Sequence, residues 1–194
     1  AVTFDSDGNL WASDTANGRI LKYPAANLAT GGAATVALGQ SGLTSDAKGI
    51  TATTMKNATS ITFDSSGNLW VADKGNSRIL KYPAANLATG GAATVALGQT
   101  DLTSNDHGNV NSPYSHSAKQ FHNPTDIAID STGNIWISEW NNHRVLKFDT
   151  TNLKIGGAAT VVLGQTDFTS KTLGNTATTL RETAGIAFDS SGNL

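Results

Sequence analysis

The strongest constraint on this chain is that most of it consists of one segment repeated along its length. Residues Arg19–Gln40 recur without a change as Arg78–Gln99, and with substitutions as Arg144–Gln165. A shorter segment precedes each copy, and its occurrences are Phe4–Trp11, Phe63–Trp70, Ile129–Trp136 and Phe188–Leu194. Such a unit buries its apolar face against the next copy, so the repeat predicts an array of similar units.

Each unit has the pattern of four short β-strands separated by turn residues. In the second unit, Ser60–Phe63 alternates apolar and polar residues, and the turn sequence around Gly67 leads into a second strand at Leu69–Asp73. Arg78–Tyr82 forms the third strand and Ala93–Leu97 the fourth. Repeated four-stranded antiparallel units are typical of β-propeller blades. The sequence therefore predicts an all-β propeller with three blades and the first strand of a fourth.

The repeat also sets the expected boundaries of the blades. They are 1–59 for blade 1, 60–125 for blade 2 with its long inter-blade loop, 126–183 for blade 3, and 184–194 for the first strand of a further blade. Propellers close with roughly four to eight blades. We therefore expect half of a six-bladed ring, completed by a second copy of the chain or by remaining blades.

The third unit resembles the NHL repeat. The order of the family's pattern is followed by Pro124–Asp130, Gly133–Trp136, Glu139 and Asn141–Val145. Asp126 departs from the pattern, since the family usually has glycine there, and Trp stands at the usual Tyr position. The resemblance implies a β-propeller that acts as a ligand platform. Some similar propellers are lyases or lactonases with a divalent ion in the central channel.

Composition narrows the classes of function. The chain is 14% charged with a net charge of −2 and has no cysteine, so disulfides, thiolate metal sites and cysteine nucleophiles are excluded. Its cations are dispersed among acids, so we expect no nucleic-acid partner. No apolar run approaches the roughly 20 residues of a membrane span, so we expect no membrane insertion. Low charge and the sequon Asn57–Thr59 favour a secreted or cell-surface protein.

Residues that occur in every unit are assigned to the scaffold. Asp73 and Arg78 flank the second hairpin, as their counterparts do in the other units, and we expect a bidentate ion pair that fixes the turn. Asp5–Asn9 has the oxygen-rich composition of a calcium loop. The other copies replace Asp7 with Ser or Thr, which favours a plain hairpin turn.

The segments that differ between units are the candidates for function. In a propeller, the blade-to-blade connections and the loops between strands two and three open on the top face, and the repeated turn and the repeated connection before strand four are expected at the bottom. The longest top connection, Thr100–Pro124, contains three of the four histidines. The predicted ligand-binding residues are Tyr114, His116, His122, Trp140, Asn142 and His143.

A metal site is a weaker possibility on the same face. Its candidates are His107, His116, His122 and Glu139, but their spacing lacks the short pitch that preorganises a site. We therefore expect no cofactor and assign no catalytic residue. The leading hypothesis is a non-catalytic scaffold that binds a protein, peptide or glycan. The alternatives are a metal-dependent lyase or lactonase, with Asp126 as the one acid at the channel end of an inner strand, and a structural cell-surface repeat protein.

Overall fold

The computed structural model describes residues 1–106 and 117–194. The described residues form three antiparallel sheets of four strands, and in each sheet the strands lie side by side in chain order. Sheet 1 contains β1 (Val2–Phe4), β2 (Leu10–Asp14), β3 (Arg19–Tyr23) and β4 (Val36–Leu38). Sheet 2 contains β5 (Ala58–Phe63), β6 (Leu69–Asp73), β7 (Arg78–Tyr82) and β8 (Val95–Leu97). Sheet 3 contains β9 (Pro124–Ile129), β10 (Ile135–Glu139), β11 (Arg144–Phe148) and β12 (Val161–Leu163).

This arrangement confirms the predicted all-β fold of four-stranded antiparallel blades. We call sheets 1, 2 and 3 with their connections blades 1, 2 and 3. The inner strands β5 and β9 begin at Ala58 and Pro124, two residues before the boundaries expected from the repeat. The described residues contain short 3-10 turns and no α-helix. Within the same residues, no helix has the length and apolar character that crossing a membrane requires.

The first hairpin turn of each blade depends on glycine and on local hydrogen bonds. In blade 2, the Gly67 N–H donates to the Asp64 carbonyl and the Asp64 N–H donates to the Asn68 carbonyl. The N···O distance is 3.0 Å in both hydrogen bonds. Gly67 has a φ of 76°, in the left-handed region that glycine adopts without steric cost. The recurring Gly-Asn sequence is therefore what closes the turn, as the sequence predicted.

Residues 184–194 have the sequence of the start of a fourth unit, but they do not pair as a β-strand. The hairpin turn forms, since the Asp189 N–H donates to the Asn193 carbonyl with an N···O distance of 2.9 Å. Phe188 packs edge-on against Trp136 with ring centroids 5.8 Å apart, as Phe63 packs on Trp11 at 5.9 Å. A strand needs a ladder partner, and residues 184–194 pair with none of the three described sheets.

The apolar core lies between neighbouring sheets. Between blades 1 and 2, the buried residues include Trp11, Ile20 and Leu38 from one sheet and Leu69 and Leu80 from the other. The corresponding layer between blades 2 and 3 contains Trp70, Ile79, Leu97, Ile135 and Leu146. Each sheet thus buries both faces only where it has two neighbours, and the three sheets do not close into a ring.

Candidate functional site

The repeated aspartate of the first hairpin holds the turn and the repeated tryptophan together. The Asp64 carboxylate accepts hydrogen bonds from the backbone N–H groups of Ser66 and Asn68, from the Asn68 side chain, and from Trp70 Nε1 at 2.9 Å. N–H donors therefore surround this carboxylate where a cation would have to bind. The oxygen-rich segment is a hairpin turn, in agreement with the sequence interpretation.

These donors also determine the ionisation of the repeated aspartates. Partial burial alone would raise the pKa of Asp5, but hydrogen bonds from Trp11 and Asn9 favour the charged carboxylate and lower the pKa to about 2. The same kinds of contacts lower the pKa of Asp64 and Asp130 below the ordinary aspartate value. The turn aspartates are therefore charged scaffold residues at neutral pH.

An arginine organises the top of each blade, and in blades 2 and 3 it is fully buried. Arg78 Nε donates to Asp73 Oδ2 at 2.7 Å, and both side chains are fully buried. Its other nitrogens donate to backbone carbonyls of the two connections that flank blade 2, at Ile50, Thr51, Thr54 and Leu102. The expected bidentate pair is therefore wrong, because the terminal N–H groups of the guanidinium bind carbonyls instead of the second carboxylate oxygen. These bonds also place the variable connections and the second hairpin at the same end of the blade.

Glu139 has the same structural role in blade 3. Its Oε2 accepts from Arg144, and its Oε1 accepts from the His122 backbone N–H at 2.7 Å and from Asn142 Nδ2 at 2.8 Å. Burial raises the pKa of the Glu139 carboxyl, against the opposing effect of Arg144. Both carboxylate oxygens already accept hydrogen bonds within the turn and its connection, so Glu139 does not present a free ligand to a metal.

Asn142 is part of the same hydrogen-bonded hairpin turn. It is 1% exposed and bonds Glu139 as Asn76 bonds Asp73 in blade 2. Asn17 makes the same contact with Asp14 in blade 1. The sequence predicts Asn142 as a ligand-binding residue; the structure places its side chain within the turn, hydrogen-bonded like the equivalent asparagines of the other blades.

Trp140 lies on the top surface and is 37% exposed. The Lys74 ammonium of blade 2 lies 5.8 Å from the centroid of its ring. Lys74 and Trp140 occupy the same position in their respective second hairpins, where blade 1 has Thr15. The two residues therefore join the tops of blades 2 and 3 through a cation–π contact that the repeat does not provide.

Two histidines lie near Trp140: His122 precedes β9, and His143 is in the same second hairpin as Trp140. His122 Nε2 is 3.0 Å from Asn141 Nδ2. His143 Nδ1 accepts the backbone N–H of Glu182 at 3.1 Å, so the neutral ring carries its proton on Nε2. Burial lowers the pKa of His143, and Arg181 lowers it further while Glu182 raises it. His143 is thus a neutral, oriented ring at neutral pH.

We call Lys74, His122, Trp140, Asn141, His143 and Glu182 the top patch. Sequence reasoning found three of them, Trp140, His122 and His143. It missed Lys74, Asn141 and Glu182, although an alignment of the second hairpins puts Lys74 at the position of Trp140. The other predicted site residues, His107, Tyr114 and His116, lie outside the described residues.

Asp126 was singled out as the one acid at the channel end of an inner strand. Its Oδ1 accepts from Ser60 Oγ at 2.6 Å and its Oδ2 accepts from the Ile186 N–H at 2.9 Å. The carboxylate therefore links the inner strand of blade 2 to the segment that follows blade 3. In the described part of the chain, no three His, Asp or Glu side chains are grouped so that they could hold a metal ion.

Three four-stranded sheets packed face to face, with hairpins and connections meeting at one end, define blades of a β-propeller. The family model of the NHL repeat matches residues 56–82 and 121–148, in blades 2 and 3. The chain thus carries NHL repeats, as its motifs indicated. No curated protein matches the sequence.

Solved propellers share the fold. The chain is similar to virginiamycin B lyase from Staphylococcus aureus, with 14% identity, a TM-score of 0.54, and coverage of 98% of this chain and 45% of the lyase. It is also similar to a structural genomics protein of unknown function from Bacteroides thetaiotaomicron, with 13% identity and a TM-score of 0.60. That match covers 97% of this chain and 41% of the other. The chain therefore spans less than half of the length of either protein.

Proposed function

We propose that this chain is the binding part of an NHL-type propeller and that the top patch contacts the ligand. The observation that carries the proposal is the Lys74–Trp140 pair. At a position where the repeat has no fixed residue, two neighbouring blades place an ammonium and a part-exposed indole within 5.8 Å. Exposed aromatic and polar side chains on a rigid frame are typical of recognition surfaces.

The chemistry of the top patch suits a protein, peptide or glycan ligand. The Trp140 ring offers a flat apolar face, Lys74 offers a cation, and Asn141 offers an amide beside His122. A ligand with an apolar face and a nearby acceptor or anionic group would use all of these groups. The contacts are spread over two blades, so the ligand would lie across the junction between blades 2 and 3.

The hydrogen bonds that the acidic side chains already make favour binding without catalysis. Glu139 and Asp126 engage both of their carboxylate oxygens in the frame. Either would have to give up these hydrogen bonds to act as a general base or as a metal ligand. The lyase activity named for the structural neighbour is therefore not what we propose for this chain.

The test is a binding screen followed by matched substitutions. The purified chain would be applied to glycan and peptide arrays, and the strongest binders titrated by calorimetry. We expect Trp140→Ala and Lys74→Ala each to weaken binding at least about tenfold, because each removes contacts of about 1.4 kcal/mol or more from the ligand.

Lys81→Ala is the control, since Lys81 lies 5.3 Å from the Trp70 ring in a cation–π pair that every blade repeats. We expect this variant to keep the affinity of the parent chain. Unchanged affinity in both Trp140→Ala and Lys74→Ala would show that the ligand binds elsewhere.

A further inference from the structure

The blade 2 side of the top patch carries a second lysine, Lys56. Its backbone N–H donates to Asp73 Oδ1 at 2.7 Å, and its carbonyl accepts the Gly75 N–H at 2.9 Å. The connection that holds Lys56 is therefore tied to the hairpin that holds Lys74. The Lys56 side chain lies across Gly75, where a Cβ atom would come within 2.7 Å of Lys56 Cγ. The absence of a side chain at Gly75 thus leaves room for Lys56 next to Lys74.

Neither of these lysines forms an ion pair with another described residue. The cations that do form ion pairs in the described part of the chain are Arg19, Lys22, Arg78, Arg144 and Lys147. Lys56 is exposed, and Lys74 contacts the Trp140 ring. An ammonium has three N–H donors, and a contact with one ring does not use all of them. Both lysines therefore keep donors that an anionic ligand can use.

The acids of the top face do not offset these two charges. Asp73 and Glu139, in the second hairpins of blades 2 and 3, are fully buried, and each is paired with the arginine of its own hairpin. Glu182, the acid of the top patch, lies in the segment after blade 3 and acts on His143. The blade 2 side of the patch is therefore cationic at its surface, and the Trp140 ring borders it.

We propose that the ligand of the top patch is an acidic polysaccharide whose sugar rings carry carboxylates, which rests on the proposed binding function of this patch. A sugar ring has a face of C–H groups that packs on an indole, and its hydroxyl groups pair with amides. Trp140 supplies the indole, and Asn141, beside His122, supplies the amide. Carboxylates on the same or the next sugar pair with Lys74 and Lys56.

The composition of the patch favours a polysaccharide over an acidic peptide. Protein and peptide ligands are held mainly by apolar and aromatic side chains that enter pockets. Trp140 is the one large apolar side chain of the top patch, and the other members are polar or charged. A polysaccharide needs a flat ring and hydrogen-bonding groups, and its length lets it extend from Trp140 in blade 3 to Lys56 in blade 2.

The experiment compares polygalacturonate with the same polymer after methyl esterification, each titrated into the purified chain by calorimetry. The two polymers share their sugar rings and linkages and differ in charge. We expect the acid to bind at least about tenfold more tightly than the ester, since each exposed ion pair contributes up to about 1 kcal/mol and two lysines take part. The affinity for the acid should fall as the salt concentration rises.

Alginate, a second polyuronate, and polyglutamate, an acidic peptide, complete the set of ligands. Equal affinity for polygalacturonate and its ester would overturn the proposal, as would binding of neither polygalacturonate nor alginate. Polyglutamate that binds as tightly as the polyuronates would overturn the assignment to a polysaccharide. A neutral glycan or a peptide that loses affinity in Trp140→Ala but not in Lys56→Gln would leave the proposed function standing and contradict the acidic ligand.

Substitutions of single lysines locate the contact. We expect Lys74→Gln to weaken the binding of polygalacturonate at least about tenfold and Lys56→Gln about threefold, because Lys74 also borders the ring on which the sugar packs. Lys154→Gln is the matched control, since it removes the same charge from an exposed site between β11 and β12. We expect the control to keep the affinity of the parent chain. An equal loss in all three variants would show attraction to net charge alone and would overturn the site.

Discussion

At the scale of single residues, the repeat is held together by side chains that each satisfy several backbone groups. The Asp64 carboxylate binds two backbone N–H groups, the Asn68 amide and the Trp70 indole. One side chain therefore closes the turn and orients the aromatic residue that packs on the next blade. This explains why Asp and Trp recur together, six residues apart, in every blade.

The turn aspartates predict an acid-sensitive fold. Because the folded-state pKa of Asp5 is about 2, below the ordinary value of 3.8, its charged form contributes stability above about pH 4. That contribution is lost as the pH falls towards and below 2. Asp64 and Asp130 have pKa shifts of the same sign and add to the loss. Denaturant unfolding at a series of pH values, followed by tryptophan emission, would show the free energy of unfolding falling below pH 4.

Asp64→Asn isolates one of these residues. The amide N–H₂ group faces the Trp70 indole N–H where an acceptor is required, so we expect a loss of about 1–2 kcal/mol at neutral pH. The difference between this variant and the parent chain shrinks at low pH, since protonation of Asp64 removes the same acceptor. A pH-independent difference would contradict this explanation.

At the scale of elements, the buried arginine connects one hairpin to two connections. Arg78 and Asp73 are fully buried, whereas the side chains of Arg19 and Asp14 in blade 1 are 16% and 25% exposed. Removing one member of a buried pair leaves an uncompensated charge, which costs more than the loss of an exposed pair. The same residue pair therefore contributes differently in an inner blade and an end blade.

Arg78→Ala and Arg19→Ala test this difference in one chain. We expect Arg78→Ala to lower the free energy of unfolding by about 3–5 kcal/mol, since Asp73 stays buried without its partner. Arg19→Ala should cost about 1 kcal/mol, because its site is reached by solvent. Chemical denaturation of both variants measures the two values. Equal losses would show that burial does not set the strength of the pair.

Local sequence was sufficient to predict the strands and turns, because their hydrophobic alternation and Gly-Asn signals act within a few residues. The contacts of Arg78 were not predictable in this way, since the carbonyls that it binds come from connections of unlike sequence brought together only by the fold. The scaffold role of Asn142 was visible in the repeat but was missed. The Lys74–Trp140 contact depends on the packing of one blade on the next, which no single repeat encodes.

At the scale of the whole molecule, the described residues form an array of three similar blades, and its two ends expose different residues. The inner blade buries both faces, whereas blade 1 exposes Val2 and Phe4 and blade 3 exposes Leu163. The top patch lies at a junction between blades that is already complete, so binding there does not require the ring to close.

Calorimetric titration of a ligand from the screen tests the central claim, that the ligand binds across the junction of blades 2 and 3, most directly. The account predicts that Trp140→Ala and Lys74→Ala each weaken binding at least about tenfold, while Lys81→Ala keeps the affinity of the parent chain. Unchanged affinity in both top-patch variants would contradict it.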